Sequence, residues 1–540
     1  MSSDPDPTQR LCVLFAGALE LDHVTPDTDF FLAGGHSLSA LTLAVAVEDA
    51  FGVRVRVRDI FDAATPVLLA ARLAEAGPTT TEPADTAPPG PRQRDADPLP
   101  GTEVADATRW LWLERQRGDG NSGAYTVPCL LDGTGPLDVD RLAGALAAVA
   151  RRHPALRTVF VEAQGAPRAV VTDRVPPFEV VDLRARDLQA GRLDALVNER
   201  VEAPFDPSTG PLARTTLFLR PGGQWSLLLV ADHLVCDGRS LEILAAEAVE
   251  AYADQASGAV QEPPGEPRQV PPADRATDPQ AAIDHWRHLL LPPPAPLPLP
   301  VRGPRTRPVG ATTATAVEEI GPDVLARLTH LGRRHHAGPF APLAAALART
   351  LAGATGSTDI CLGTAVDRRA RLGKEHAVGF HVATVPLRLE VHDSMSAEDL
   401  VRQVAQRTMD AVDHSEVAFD ALVAALDPPR SPGRMPFFDV WAALYPRIDT
   451  GPCPPGGIAL SGGPVPVRVG MFELSFQFVE HARGMRLVLQ YDTLRYAADT
   501  AERMVRRLGE ELTRLLHGPE EPAPEPAPTE RTFSGFHFDA

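Results

Sequence analysis

The stretch Trp225-Ser-Leu-Leu-Leu-Val-Ala-Asp-His-Leu-Val-Cys-Asp-Gly238 most constrains what this chain can fold into. Leu227–Ala231 is an apolar run of strand length, typical of a fully buried strand. Polar residues follow at once, namely Asp232, His233 and Asp237, and Gly238 closes a turn. The next run, Leu241–Tyr252, has helical spacing, and Ser240 is placed to be its N-cap. A strand, an imidazole, a tight turn and a helix would fix a general base at the rim of a sheet.

Length and composition exclude several classes of function. At 540 residues the chain is long enough for about three or four domain-sized units. Its net charge of -19 argues against nucleic acid as a partner, and no basic block indicates a membrane surface. The five cysteines lie far apart, so neither a metal site nor a disulfide framework is indicated. The N-terminus lacks an apolar signal core, and no run is long enough to span a bilayer, so we expect a cytoplasmic protein.

The first unit, residues 8–76, has the pattern of a small helical domain. Apolar spacing predicts a first helix around Leu11–Leu19 and a second over Leu38–Phe51, which Gly52 ends. A short helical piece is predicted at Val57–Phe61, and Thr65-Pro66 starts a last helix that runs to Ala76. The result is a four-helix unit close to the lower size limit for a stable core.

Ser37 is the candidate reactive residue of this unit. It follows Gly34-Gly35-His36 and opens a helix, so it is either an ordinary N-cap serine or an attachment point. A helix N-terminus attracts a phosphate. The segment Asp29-x-Phe-x-x-Gly-Gly-His-Ser37-Leu38 resembles the carrier-protein motif of nonribosomal peptide synthetases. The resemblance implies that Ser37 carries 4′-phosphopantetheine, attached by a phosphopantetheinyl transferase.

Two segments lack any apolar periodicity. Residues 77–100 are rich in Pro and Thr and are predicted to be a semi-extended linker. Such a tether would raise the effective concentration of the carrier at its neighbour. Residues 518–540 are rich in Glu and Pro before a Phe-Ser-Gly-Phe-His-Phe end. We expect this tail to be disordered, with docking to a partner as the alternative.

The rest of the chain resembles the condensation domains of these synthetases, which belong to the chloramphenicol-acetyltransferase-like superfamily. Their motif is His-His-x-x-x-Asp-Gly; here Asp232 replaces the first histidine and His233 keeps the second. Further segments match in order: Ala107–Trp112, Arg152–Thr158, Pro204–Asp206, Gly210–Leu212, Trp286, Pro292–Pro300, Asp359–Arg369, Val378–Arg388, His414–Asp420 and Arg430–Phe438. Within Val378–Arg388, Ala383 replaces the usual asparagine.

This resemblance implies the fold. We expect a multidomain chain: a small all-α four-helix carrier domain, then an α/β condensation domain of two chloramphenicol-acetyltransferase-like lobes. The lobes are predicted at residues 101–275 and 276–517, with a tunnel between them.

The resemblance also implies roles for individual side chains. His233 is the expected catalytic residue, as a base or as a positioner of the amine. Asp237 is expected to be structural and to pair with Arg369. Gly238 offers a permissive backbone whose N–H could approach an oxyanion. Arg157 is expected to be scaffold.

Asp232 has two possible roles beside the expected catalytic histidine. Its carboxylate either raises the pKa of the neighbouring imidazole and holds its tautomer, or is a packing substitution without effect. Neighbouring side chains on a strand point to opposite faces, so Asp232 and His233 need not touch.

The implied activity is amide formation from a carrier-bound acyl thioester and an acceptor amine. The alternatives are epimerisation of the carrier-bound residue and a catalytically degenerate domain that recruits a partner; His233 argues against a cyclisation domain. No further part of the sequence has the size of an adenylation domain or a second carrier. We therefore expect an adenylation domain acting in trans and an acceptor carrier protein or free amine from outside the chain.

Overall fold

A computed structural model describes most of the two predicted units. The described residues are 6–76 with gaps at 20, 31–32, 34–36, 54, 56–58 and 61–62; 102–112 with gaps at 106–107 and 110; 122–163; 166–185; 192–257; 279–302; 313–429; 434–453; and 456–517. The predicted linker at 77–100 and the predicted tail at 518–540 lie outside these ranges.

The carrier unit is helical, as predicted. Its described helices are α1 (Pro7–Leu19), α2 (Ser37–Phe51) and α3 (Pro66–Ala76), and α1 packs against both of the others. Phe15 and Phe30 meet edge to face in its core, with ring centroids 5.4 Å apart. The Thr65 hydroxyl accepts a hydrogen bond from Leu68 N–H at 3.3 Å, so Thr65-Pro66 starts α3 as predicted. Most of the predicted short helix at 57–61 falls outside the described residues.

The first lobe alternates strands and helices. Its elements are β1 (Thr102–Glu103), β2 (Thr126–Thr134), α4 (Val139–Arg152), β3 (Thr158–Ala163), β4 (Ala166–Val171), β5 (Phe178–Asp182), α5 (Arg192–Glu202), β6 (Ala213–Leu219), β7 (Trp225–Asp232) and α6 (Gly238–Ser257). Single 3₁₀ turns lie at Ser122–Tyr125, Pro154–Arg157 and Pro221–Gly223.

The second lobe has the same mixed character. Its elements are α7 (Pro279–Leu290), β8 (Thr313–Ile320), α8 (Pro322–Arg334), α9 (Phe340–Thr355), β9 (Asp359–Asp367), α10 (Arg369–Leu372), β10 (Val382–Glu390), α11 (Ala397–Asp413), α12 (Phe419–Leu426), β11 (Val440–Tyr445), β12 (Ile448–Asp449), β13 (Ala459–Pro464), β14 (Leu474–His481), β15 (Gly484–Asp492) and α13 (Ala498–His517).

Two six-stranded sheets organise the lobes. The first has the order β12-β13-β2-β7-β6-β5 and the second β10-β9-β11-β14-β15-β8; a small sheet has the order β1-β4-β3. All eight residues of β7 are buried, because β2 and β6 flank it and helices cover it. This is the buried strand that the apolar run predicted, and the two-lobed α/β fold is the one that the resemblance implied.

One crossover ties the lobes together. Strand β13 pairs antiparallel with β2, from Ala459 opposite Thr134 to Pro464 opposite Cys129. The segment from 448 to 464 follows β11 of the second sheet, yet it extends the first sheet. The predicted lobe boundaries remain predictions, but the two predicted lobes share a sheet.

The sequence predicts that no segment of the chain spans a bilayer, and the length and polarity of the helices can be compared with that prediction. Among the described helices, none combines the length and the apolar character that a bilayer crossing requires.

Candidate functional site

His233 is the first residue after β7 and is half-buried. Its backbone N–H donates to the carbonyl of Tyr125 at 2.7 Å, which anchors the turn on the residue just before β2. Its Nδ1 lies 2.9 Å from the Cys236 carbonyl oxygen. A carbonyl oxygen only accepts hydrogen bonds, so we assign the imidazole proton to Nδ1. This tautomer leaves a lone pair on Nε2.

The surroundings of His233 favour the neutral imidazole. Burial lowers the pKa of His233, and the nearby Asp237 carboxylate opposes this shift without cancelling it. Asp232 has a smaller effect than Asp237 in the same direction. Phe380, from the second lobe, meets the imidazole ring at 75° with centroids 5.2 Å apart. The ring is therefore held on one side by its own turn and on another by the opposite lobe.

Asp237 is a buried carboxylate with donors from both lobes. Arg369 contacts it through both Nη atoms, at 2.8 Å and 3.0 Å. The backbone N–H groups of Ser240 and His381 donate to it at 2.9 Å and 3.0 Å. Burial alone would raise the pKa of Asp237, but the Arg369 guanidinium and these N–H donors hold it below its usual value. Asp237 is thus an ionised anchor and not a proton donor.

Arg369 also makes polar contacts within its own lobe. Its Nε donates to the Ala377 carbonyl at 2.9 Å, and its Nη1 lies 3.2 Å from Asp367. Burial would lower the pKa of Arg369, but the contact with Asp237 outweighs burial and raises it. The structure thus brings Asp237 and Arg369 together in a buried ion pair between residues 132 positions apart.

Ser240 has a different role from the predicted one. Helix α6 begins at Gly238, and the Ser240 N–H donates to Asp237, so Asp237 is the N-cap and Ser240 lies in the first turn. The Ser240 hydroxyl lies 2.8 Å from Asp237 and 3.0 Å from the Gly379 carbonyl, and it accepts from Gly379 N–H at 3.0 Å and from Arg369 at 2.9 Å. It therefore joins the two lobes at the site.

Gly238 lies next to Asp237 in the chain, whereas the hydrogen bonds of Arg157 are made outside the Asp237–Arg369–Ser240 network. Gly238 is exposed in the first turn of α6, and a Cβ added there would meet no atom within 4 Å. The space around the Cα of Gly238 is therefore open. Arg157 donates to the Thr172 and Arg151 carbonyls at 2.8 Å and 3.1 Å, which fits its expected place in the scaffold.

Asp232 caps the turn that carries His233. Its Oδ1 accepts from Leu234 N–H at 3.0 Å, and its carbonyl accepts from Val235 N–H at 3.0 Å. The Cys236 carbonyl, not Asp232, holds the proton-bearing Nδ1 of His233. This geometry favours a local structural role over control of the tautomer.

The second lobe repeats this turn. Strand β15 also ends in a buried aspartate, Asp492, and a turn then leads to α13. Asp492 Oδ1 accepts from Leu494 N–H at 2.9 Å, and its carbonyl accepts from Arg495 N–H at 3.1 Å. The position of Asp232 is therefore a turn-capping position in both lobes.

We expect Asp232→Asn to keep turnover within about threefold, because an amide oxygen can still accept from Leu234 N–H. Asp232→Ala should cost about 1–3 kcal/mol of unfolding free energy, because it leaves that buried N–H without its partner. Asp492→Ala is the matched control and should cost a similar amount. Urea unfolding and steady-state turnover measure both effects. Loss of turnover in a folded Asp232→Asn variant would show that the charge itself takes part in the reaction.

Sequence reasoning missed two residues of the site. Phe380 lies within the matched segment Val378–Arg388, but the motif assigns it no role, and the sequence predicts Ser240 only as a helix cap. His381, beside them, has its pKa lowered to about 4, mainly by burial and then by the Arg369 charge. An aromatic residue directly after Gly379 was the one available signal for Phe380.

Ser37 is the first residue of α2, a helix of 15 residues with no acidic residue in its first turn. Residues 34–36 lie outside the described part, and so does the Ser37 side chain. A helix N-terminus without a nearby carboxylate suits a phosphodiester. Helix α2 contacts α10, whose first residue is Arg369. Within the described residues, no cluster of His, Cys, Asp and Glu is arranged to hold a metal ion.

The chain is similar over nearly its whole length to parts of much larger synthetases. It is 32% identical over 532 residues to CymA of Salinispora arenicola, described as a "Probable non-canonical nonribosomal peptide synthetase (NRPS)", covering 95% of this chain and 7% of that protein. It is 30% identical over 531 residues to the phosphinothricin tripeptide synthetase PhsB of Streptomyces viridochromogenes, covering 95% of this chain and 43% of PhsB. The chain thus spans less than half the length of either relative.

Solved structures show the same fold for the second unit. The starter condensation domain of rhizomide synthetase RzmA, solved with C8-CoA, superposes with a TM-score of 0.66 at 18% identity, over 77% of this chain and 95% of that one. The X-domain from teicoplanin biosynthesis superposes with a TM-score of 0.61 at 22% identity, over 77% and 94%.

Two families match the chain in the predicted order. "Phosphopantetheine attachment site" matches residues 9–73, and "Condensation domain" matches residues 110–531. These matches favour a carrier followed by a condensation domain over epimerisation or a recruitment platform. The chain therefore belongs to the condensation-domain family of nonribosomal peptide synthetases, with a phosphopantetheine-bearing carrier unit ahead of that domain.

Proposed function

We propose that this condensation domain forms an amide bond by transferring an acyl group from the carrier at Ser37 to an acceptor amine, with His233 as the catalytic residue. The observation that carries the proposal is the imidazole geometry. Nδ1 donates to the Cys236 carbonyl, so Nε2 keeps a lone pair that can accept a proton from the attacking amine.

Different residues of the chain have different roles in the proposed reaction. His233 holds the amine by a hydrogen bond to Nε2 and takes its proton as the new C–N bond forms; the thioester C–S bond would then break, and the proton would pass to the departing thiolate sulfur. Asp237 and Arg369 hold the turn that carries His233, and Phe380 limits rotation of its ring. Because a thioester is already activated, positioning of the amine can supply much of the rate.

The 4′-phosphopantetheine arm, when bound, supplies the donor acyl group as a thioester. We propose Ser37 as its attachment residue, because Ser37 opens α2 and no carboxylate of the first helical turn opposes a phosphate there. A phosphopantetheinyl transferase should add the mass of one arm to the wild type and none to Ser37→Ala. Intact-protein mass spectrometry checks this, with Ser39→Ala as the matched control in the same helix. An arm on the Ser37→Ala protein would refute the assignment.

The pH dependence of turnover provides a second test. The neutral form of His233 is the active one, and burial holds the pKa of His233 below the usual value of about 6.5. The acceptor's own amine also titrates, at about pH 8 for an α-amino group, so the kcat/KM profile should fall first there. It should steepen again below pH 6.5, where protonation of His233 adds about a further tenfold per pH unit. His233→Asn should lack this second, steeper limb and keep the first. A wild-type profile that never steepens below pH 6.5 and matches that of His233→Asn would contradict a titrating base at His233.

The partners follow from the same chemistry. We propose that an adenylation domain activates the donor residue, and that the acceptor is an amine on a second carrier protein or free in solution. The decisive experiment loads Ser37 with an aminoacyl arm and offers candidate acceptors. Acyl mass should leave the protein only when an acceptor is added, and a product of matching mass should appear. Product without an added acceptor would exclude a separate acceptor.

A further inference from the structure

The Ser240 hydroxyl is fully buried at the point where the two lobes meet. It lies 2.8 Å from the Asp237 carboxylate of its own lobe. From the second lobe, Gly379 N–H and Arg369 Nη2 donate to it at 3.0 Å and 2.9 Å. A serine hydroxyl donates one hydrogen bond and accepts two, so these three contacts match its full capacity.

Two oxygens compete for the single hydroxyl proton of Ser240. The Asp237 carboxylate at 2.8 Å is ionised, whereas the Gly379 carbonyl at 3.0 Å is neutral. A hydrogen bond to a charged acceptor is the stronger of the two, so we assign the proton to Asp237. Ser240 then holds Gly379 as an acceptor, through the Gly379 N–H.

Both chain neighbours of Phe380 are hydrogen-bonded to the first lobe. On one side, Gly379 N–H donates to the Ser240 hydroxyl at 3.0 Å. On the other side, His381 N–H donates to the Asp237 carboxylate at 3.0 Å. The backbone of Phe380 is therefore fixed to the first lobe from both directions.

The imidazole of His233 lies between two groups that this network holds. The Phe380 ring meets it at 75°, with centroids 5.2 Å apart. Its Nδ1 lies 2.9 Å from the carbonyl of Cys236, the residue before Asp237. Ser240 N–H donates to the Asp237 carboxylate at 2.9 Å, so the helix start and the turn are held together. A shift at Ser240 would therefore reach His233 through Phe380.

We propose that Ser240 is a positioning residue that holds Phe380 against His233 and so fixes the orientation of the imidazole. The importance of this orientation for catalysis rests on the proposed function, in which Nε2 of His233 must face the amine. Without the hydroxyl, Gly379 loses its hydrogen bond to the first lobe, and Phe380 is free to move away from the imidazole.

The pKa of His233, measured by NMR on the full chain with ring-labelled histidine, tests this role without any reaction. Burial holds that pKa down, and Phe380 packs against the ring, so Ser240→Ala should raise the pKa toward the ordinary value of about 6.5. The signal is assigned by its loss in His233→Asn. Ser226→Ala is the matched control, because Ser226 is equally buried near the start of β7 and bonds Asp132 at 2.7 Å. An unchanged pKa in folded Ser240→Ala would overturn the proposal.

A double-mutant cycle shows whether Ser240 affects turnover through Phe380. Ser240→Ala should lower kcat about tenfold and leave the KM of the acceptor unchanged, because it disturbs the geometry of the reacting groups. Phe380→Ala should lower kcat at least as much. The double variant should be no slower than Phe380→Ala alone, since both changes remove the same contact. Losses that multiply would show that Ser240 does not act through Phe380.

Ser240→Cys keeps both measurements possible if the alanine variant does not fold. A thiol fills similar space but forms only weak hydrogen bonds, so the pKa of His233 and kcat should change in the same directions. If the pKa rises in the Ser240 variants but the wild type forms no amide, the proposed function fails and the positioning role stands. If the wild type forms the amide and the Ser240 variants match its kcat, the positioning role alone is overturned.

Discussion

Replacing His233 with alanine should lower turnover by about 10²–10⁴, the range that general-base catalysis contributes. The side chain is half-buried and makes one hydrogen bond within its own turn, so the fold should survive its removal. The rate of a single round of acyl transfer, started from protein whose Ser37 arm already carries the acyl group, measures the loss without contributions from arm attachment or acyl loading. His376→Ala is the matched control, because His376 is exposed on the loop that precedes Gly379.

A second substitution separates proton transfer from positioning. The amide of His233→Asn can still donate to the Cys236 carbonyl, but it has no basic nitrogen. If His233 acts as a base, asparagine should be as poor as alanine. If asparagine restores turnover to within about tenfold of the wild type, His233 orients the amine and another group takes the proton. Normal turnover in folded His233→Ala would exclude both roles.

Arg369→Met should cost about 3–5 kcal/mol of unfolding free energy, the usual effect of breaking a buried ion pair from one side. The Arg369 and Asp237 side chains are 3% and 1% exposed. Without Arg369, the Asp237 carboxylate therefore cannot reach water unless the site unfolds locally. The N–H groups of Ser240 and His381 remain, but they do not neutralise its charge. Urea unfolding at pH 7 measures the loss.

The pH dependence identifies the cause of that loss. In the wild type the folded-state pKa of Asp237 lies below its unfolded value of about 3.9, so the pair stabilises the fold above that pH and loses its effect as the pH falls. In Arg369→Met the carboxylate should protonate more readily, so the difference from wild type should shrink at acid pH. Arg184→Met removes a fully exposed pair with Asp182 and should leave unfolding unchanged. A similarly small effect for Arg369→Met would mean that the pair is not a structural anchor.

Local pattern predicted the first-lobe strand, turn and helix well. The apolar run and the helical spacing placed Trp225–Asp232 and Gly238–Ser257 to within a few residues, because both signals lie within one short window. His233 and the Asp237–Arg369 contact came from the family motifs, since nothing local links residues 132 positions apart.

The roles of Ser240 and Asp232 could not be predicted from the sequence, because they follow from contacts and comparisons between residues far apart in the chain. Ser240 looked like a cap because serine before an apolar helix usually is one, but its partner Gly379 lies 139 residues away. The role of Asp232 became clear only beside Asp492, whose sequence surroundings differ although its hydrogen bonds are the same.

Strand β13, which follows the second sheet in the chain but pairs with the first, limits how the two lobes can be exchanged between homologous proteins. Because β13 is bonded to β2, a hybrid joined between the two halves would set an edge strand from one parent against a sheet from another. Gly462 tolerates little change there, since a Cβ would lie 2.1 Å from the Leu130 carbonyl oxygen. Designers who exchange halves should therefore move residues 448–464 together with the first half, as a graft, and keep the rest of the second half with its own parent.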